Sequence, residues 1–397
     1  MLINTLNILT ELSLYLLLFG ITFSNSATEA FAISIVVFFI VRRILLKEIK
    51  PPKTGVNLIL YIICAVVFIT FLRSAYFSES VRGFLRVIKF IFLYFALTEF
   101  FTADEKRVKR VFWALMAIAS FTFLNGIFQS ISGFDILRHH EITKDDCLRR
   151  ILASFVHPND FGTYIITLLP LTFCFFCRAL TRNQRMFLVI NCMLGCWCLL
   201  KTSSRSAWLG FLIGLILYFI FYRKKLSLAV PLLIILFIVF SPHALERIKN
   251  LFAFEQNTVW ERGKLWEGTW NMVKVHPFFG FGINTFSRYF IQYKPADYPD
   301  IRYAHNSYLQ MWSEIGIFGL SAYLALIFAI LIKTLRGMKE KVKKNFKGFI
   351  LLGSVSGYAA YLIQAGLDTN LYSLVLTTLF WIMSAYIMSL NKLLEAG

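Results

Sequence analysis

Apolar runs close to 20 residues long recur along the whole chain, and no other feature restricts its fold as much. A run of that length crosses the hydrocarbon core of a bilayer as a helix, and a helix satisfies its own backbone polar groups there. The runs fall at 6–23, 28–41, 56–72, 83–101, 111–131, 161–176, 186–200, 207–221, 226–240, 307–331, 349–365 and 371–390. The expected fold is all-α, a polytopic integral membrane protein of about twelve transmembrane helices. Of the 397 residues, 58% are hydrophobic and 16% charged, whereas a soluble domain is about half apolar and about a quarter charged. The first run lacks a basic leader and an A-x-A cleavage pattern, so it reads as a retained span. Of the seven cysteines, all but Cys147 lie in apolar runs and are expected as packed thiols.

The net charge of +19 has an explanation that needs no nucleic acid partner. Lys and Arg orient membrane proteins by collecting in the loops on the cytoplasmic side. Arg42, Arg43, Lys47, Lys50 and Lys53 follow the second span. Lys106, Arg107, Lys109 and Arg110 follow the fourth, and Arg178, Arg182 and Arg185 the sixth. Arg223, Lys224 and Lys225 follow the eighth, and 333–347 carries seven more after the tenth. All five clusters fall on one side, which places both termini in the cytoplasm. Three parts result: a membrane part over 1–242 with spans one to nine, a long external loop over 243–304, and a second membrane part over 305–397 with spans ten to twelve. No low-complexity segment or solenoid repeat is visible.

The stretch from Thr258 to Leu320 differs from the rest in mixing Arg, His, Trp, Gly and carboxylates. Thr258-Val-Trp-Glu261 is a capping box, predicting an amphipathic helix over 259–275 that Pro277 terminates. Arg262, Trp266, Trp270 and Val273 fall on one face of it. Phe278-Phe-Gly-Phe-Gly282 predicts a glycine turn. Ser307-x-x-Gln310 reads as a second capping box, with Ser307 as the cap of span ten.

Several polar residues on the external side invite a chemical reading. Arg82, Arg86 and Lys89 line the opening of span four, and Lys89 lies nearly two turns inside. They bind a substrate or snorkel to head groups. Arg205, in Thr202-Ser-Ser-Arg-Ser206, opens span eight, where hydroxyls are placed to cap the helix. A cation in a first turn opposes the helix dipole, which is understandable if an anion such as phosphate shares the site; the alternative is a lipid phosphate. Arg262 repeats the arrangement and shares a face with Trp266. His305 precedes a helix start, where positive potential favours the neutral imidazole that a general base requires; the other reading is a structural histidine bonded to a loop carbonyl. His157-Pro158-Asn159-Asp160 caps span six or binds substrate. His139-His140 and Asp145-Asp146 do not form a convergent metal-ligand pattern, and neither a metal nor another cofactor is expected.

These residues resemble a family. Ser204-Arg-Ser-Ala-Trp-Leu209, Arg262-x3-Trp266, His276-Pro-Phe-Phe-Gly-Phe-Gly282, and His305-Asn-Ser-Tyr-Leu309 followed by Glu314-Ile-Gly316-x2-Gly319-Leu320 are similar to the O-antigen ligase/polymerase superfamily. His157-Pro158-Asn159 resembles a further pattern of its members. The likeness covers about residues 155–322. It implies a fold similar to the GT-C type, with the long loop periplasmic and carrying short helices. It also implies an inner-membrane glycosyltransferase working at the periplasmic face. The donor would be a glycan on undecaprenyl pyrophosphate, the acceptor a sugar hydroxyl of lipid A–core, with membrane lipids around both. Arg205 and Arg262 match the family's arginines and would neutralise the leaving pyrophosphate. His305 matches its loop histidine and would take the acceptor proton, giving inversion without a metal. Arg82, Arg86, Lys89, His157, Asn159, Trp266 and Asn306 would bind substrates. The Ser-Arg-x-Ala-Trp-Leu run favours a ligase; an O-antigen polymerase and a protein O-oligosaccharyltransferase share the other motifs. A transporter of lipid-linked sugars would need charges deep in several spans, whereas here the polar residues crowd one face.

Overall fold

The computed structural model describes residues 2–48, 50–145, 148–223, 258–296, 298–299 and 301–396. The expected ninth span at 226–240 lies outside the described residues, as do Asp146 and Cys147 and the side chain of Thr258. The elements are α1 (Leu2–Gly20), α2 (Asn25–Leu45), α3 (Asn57–Leu72), α4 (Phe77–Ala103), α5 (Glu105–Ser132), the antiparallel pair β1 (Thr143–Asp145) and β2 (Leu148–Arg150), and α6 (Pro158–Thr172) with a 3-10 turn at Phe173–Phe176. Then come α7 (Arg182–Thr202), α8 (Arg205–Tyr222), α9 (Thr258–Val275), α10 (Phe286–Tyr293), α11 (Ser307–Leu335), α12 (Met338–Lys344), α13 (Phe346–Ala365) and α14 (Leu374–Ala396).

Every expected span apart from the ninth coincides with a helix. Among the described residues, eight helices are long and apolar enough to cross a membrane: α1, α5, α6 with its 3-10 turn, α7, α8, α11, α13 and α14. Helix α3 is apolar but shorter, and α2 and α4 carry Glu29, Arg42 and Arg43, and Arg86, Lys89 and Glu99 within their length. The chain is an all-α, multi-pass membrane protein.

Helices α13 and α14 form the centre. Helix α13 packs on α6 and on α8, and α14 packs on α4. The approach is closest where glycines face carbonyls. A Cβ on Gly357 of α13 would stand 1.9 Å from the Thr167 carbonyl of α6, and one on Gly210 of α8 would stand 2.6 Å from the Ala360 carbonyl of α13. Small residues let helices pack in lipid, where no hydrophobic effect drives them together. The contacts bring the N-termini of α6 and α8 and the C-terminus of α13 to the same end of the bundle.

Local chemistry sets the helix limits. Asp104 caps α5 by accepting from Lys106 N, and Gly133 closes it in the left-handed region at φ 90°. A reciprocal Thr181–Gln184 capping box opens α7, and Ser203 closes it at φ 50°. Two expected caps differ. Ser204 precedes α8 but makes no side-chain cap bond; its Oγ lies 3.3 Å from that of Ser206. The cap of α11 is Asn306, one residue before the expected Ser307, and its Oδ1 accepts from the N–H groups of Tyr308 and Leu309. Asn caps a helix at least as well as Ser, and Ser307 Oγ is taken by the carbonyl of Asp368 at 2.9 Å.

Helix α11 is broken at Gly316, which has φ 68° and ψ −177°. In an unbroken helix the N–H groups of Ile317 and Phe318 would donate to the carbonyls of Ser313 and Glu314. Here they donate instead to Pro277 O at 2.8 Å and Phe278 O at 3.4 Å. The two released carbonyls accept from Phe281 N at 3.0 Å and Gly282 N at 2.8 Å. The glycine turn thus plugs into the helix break, and every displaced backbone bond is replaced, as buried backbone in a membrane protein requires. This junction fixes the turn after α9 on the bundle.

Candidate active site

Asp368 is the point where the site converges. It lies in the connection between α13 and α14 and is 5% exposed. Its Oδ1 is 3.1 Å from His305 Nδ1 and accepts from Thr369 N at 2.9 Å. Its Oδ2 accepts from Asn159 Nδ2 at 2.7 Å and is 3.9 Å from Arg262 Nη2. Its carbonyl accepts from Ser307 N and Oγ. Burial alone would raise this carboxyl. The hydrogen bond and charge of His305, the charge of Arg262 and the Thr369 N–H outweigh burial and hold it below the usual carboxylate range.

His305 stands at φ 47°, the left-handed region that residues with a Cβ seldom adopt, and its side chain is 41% exposed. An ionised Asp368 carboxylate can only accept, so Nδ1 donates its proton to it and Nε2 is the ring nitrogen left for another partner. The sequence placed only positive potential around this ring; the structure adds a carboxylate that fixes its tautomer and orientation.

The N-terminus of α6 forms the opposite wall. Asn159 links Asp368 to Arg150, whose Nη2 donates to Asn159 Oδ1 at 2.9 Å and whose Nε donates to Thr202 O at 2.8 Å. Gln364 of α13 donates to Asn159 O and to Ser206 Oγ, at 3.4 and 3.5 Å. This joins the start of α6 to the first turn of α8, which Arg205 opens half-buried. His157 occupies the N-cap position of α6 without capping it. It is exposed, yet desolvation by the groups around it lowers its imidazole below the ordinary histidine value. The charges of His305 and Arg150 add to that and Asp368 opposes it.

Helix α9 brings Arg262, with a side chain 28% exposed. One turn on, Trp266 Nε1 donates to Ala304 O at 3.1 Å. His305, Arg262 and Asn159 therefore share one carboxylate, with His157 and Arg205 on the flanking helix ends. Asn306 is occupied as a helix cap. Of the cations of α4, Arg82 is near Ser78 O and Glu79, and Lys89 pairs with Glu29 of α2 at 2.5 Å. Arg86 lines a cavity of about 60 Å³ with Glu314 and Tyr372. A larger apolar cavity of about 770 Å³, among α2, α3 and α4, shares no residue with the Asp368 cluster. His140 Nδ1 is 3.2 Å from Phe155 O.

Sequence reasoning missed Asp368 and Arg150. The signal for Asp368 was a lone carboxylate in the short polar break between the last two apolar runs, on the side assigned as external. Arg150, at the end of β2, had only its position eight residues ahead of Pro158.

Residues 190–324 match the family described as O-Antigen ligase, a stretch that holds Arg205, Arg262 and His305 but not Asn159 or Asp368. The chain is 24% identical over 253 residues to the ComP-specific O-oligosaccharyltransferase of Acinetobacter baylyi. That match covers 59% of this chain and 44% of the relative, so the shared stretch is less than half of that protein. Over residues 190–324, then, a helical membrane protein is similar to the family described as O-Antigen ligase.

Proposed function

We propose that the protein is an inner-membrane glycosyltransferase. It would move O-antigen glycan from undecaprenyl pyrophosphate to a sugar hydroxyl of lipid A–core at the periplasmic face. The observation that carries this reading is the His305–Asp368 contact, with Arg262 on the same carboxylate. Asp368 orients the imidazole so that Nε2 takes the proton of the acceptor hydroxyl. The acceptor oxygen forms its bond to the anomeric carbon as the bond to the pyrophosphate oxygen breaks, which inverts that centre. Arg262 and Arg205 receive the charge that develops on the leaving pyrophosphate. A positioned general base supplies about 10²–10⁴-fold, and each donor to developing charge about 10²–10³-fold. No step calls for a metal.

A second reading has an observation behind it: the relative is named as an O-oligosaccharyltransferase, so the acceptor hydroxyl would belong to a protein. A strain lacking the gene separates the two. The ligase reading expects lipid A–core without O-antigen while lipid-linked glycan accumulates. Unchanged lipopolysaccharide with a glycan missing from a protein would overturn it in favour of the second reading. A single capped repeat on lipid A–core would overturn it in favour of a polymerase.

A further inference from the structure

We propose that Trp266 and Gln310 are positioning residues that hold His305 in place by binding both backbone polar groups of Ala304, the residue ahead of it. This rests on the general-base role proposed above for His305. Ala304 is fully buried. Its N–H donates to Gln310 Oε1 at 3.0 Å, and its carbonyl accepts from Trp266 Nε1 at 3.1 Å. The next residue, His305, is held at φ 47°, a conformation that persists only where the surroundings over-determine it.

Each half of the clamp is anchored elsewhere. Gln310 is 1% exposed, and its Nε2 donates to Glu314 Oε1 at 3.3 Å. The carboxylate of Glu314 also accepts from Asn284 N at 2.8 Å and Phe286 N at 3.1 Å. The path therefore runs from the start of α10, through Glu314 and Gln310 on α11, to Ala304. The other half comes from α9, where Trp266 sits one helical turn from Arg262. The indole bond thus sets the distance between the imidazole and Arg262 that allows Asp368 to touch both. On this account the Trp266 indole N–H serves the histidine and not a bound sugar or lipid.

The test uses purified full-length protein and a lipid-linked glycan donor. Trp266→Phe keeps an aromatic ring and removes the N–H; Gln310→Met keeps the length and removes the acceptor. Each is expected to lower kcat about tenfold while donor KM stays within about twofold of wild type. Placed in a His305→Ala background, each should cost nothing further, because a residue that acts through His305 has nothing left to position. A wild-type kcat for Trp266→Phe overturns the clamp. So does a raised donor KM at unchanged kcat, which would make the indole a substrate contact, and so does an undiminished loss in the His305→Ala background. Should Gln310→Met fail to accumulate in the membrane, Trp266→Phe carries the test alone. Full transfer by His305→Ala would refute the general-base role itself. An inactive His305→Ala beside a fully active Trp266→Phe would refute only the clamp.

Discussion

At Asp368 one carboxylate gathers side chains from three distant parts of the chain: His305, Asn159 and Arg262. An amide in its place keeps the shape but loses the charge and can present the wrong group to Nδ1. Asp368→Asn should therefore lower transfer by about 10²–10⁴-fold, with protein level in the membrane unchanged, as read by a transfer assay beside an immunoblot. The sign of the pH effect follows from the lowered carboxyl. A group whose folded value is depressed stabilises the fold above its unfolded value, and that contribution is lost as pH falls through the folded one. Asp368 should thus stay ionised below the ordinary carboxylate value of about 3.9, and wild-type stability near neutral pH should not depend on its titration. The arginines give a second prediction. Arg262→Lys and Arg205→Lys should restore little of the transfer lost in the alanine variants, because a planar fork binds phosphate in a way a point charge does not. Transfer should also survive EDTA. Restoration by magnesium or manganese of an EDTA-treated enzyme would refute an arginine-only anion site.

The elements meet at the break in α11. Two glycines make it possible: a Cβ on Gly316 would stand 2.0 Å from Phe278 O, and one on Gly280 would stand 2.4 Å from Glu314 O. Both also have positive φ, 68° and 65°. Gly133 provides a control, with φ 90° and nothing within 4 Å of an added Cβ. Gly133→Ala should cost only the left-handed backbone term, about 1–2 kcal/mol. Gly316→Ala must also push the Pro277–Gly282 turn out of the break, leaving four backbone groups to find new partners. Thermal unfolding in detergent should separate the two variants clearly, and Gly316→Ala should lose transfer as well. Equal melting temperatures would mean that the turn is not held there. The sequence pattern announced a glycine turn and a glycine-bearing helix start. That the two interlock follows from backbone groups about 35 residues apart finding each other, which no local pattern encodes.

For the whole molecule, the orienting charges make a prediction that the helices by themselves do not. A reporter fused at Lys341 should lie in the cytoplasm and one at Pro295 in the periplasm. Cytoplasmic activity at Pro295 would put the Arg262–His305–Asp368 cluster on the wrong side for a periplasmic donor and would remove the proposed function. The cluster itself sits where the ends of α6, α8, α11 and α13 come together, capped by α9. Glycine-mediated packing of α13 on α6 and α8 sets that convergence.

Apolar length was enough to specify a helical membrane protein and most of its helices, because a bilayer demands long apolar segments that satisfy their own backbones. The motif residues Arg262 and His305 were legible too, since each stands at a helix end with polar neighbours close by in sequence. Lys89 illustrates the limit. Depth in a helix suggested a substrate ligand or a snorkelling cation; that a Glu29 carboxylate stands 2.5 Å away is decided by the packing of α4 on α2. Asp368 and Arg150 were hidden for the same reason. In the connection between α13 and α14 the Asp368 carboxylate finds only the Thr369 N–H close by in sequence, and its other partners appear only when helix packing delivers His305 and Arg262 from one side and Asn159 from the other. Local patterns record what a residue can do with neighbours in sequence; which distant groups share a desolvated site is decided by how the helices pack.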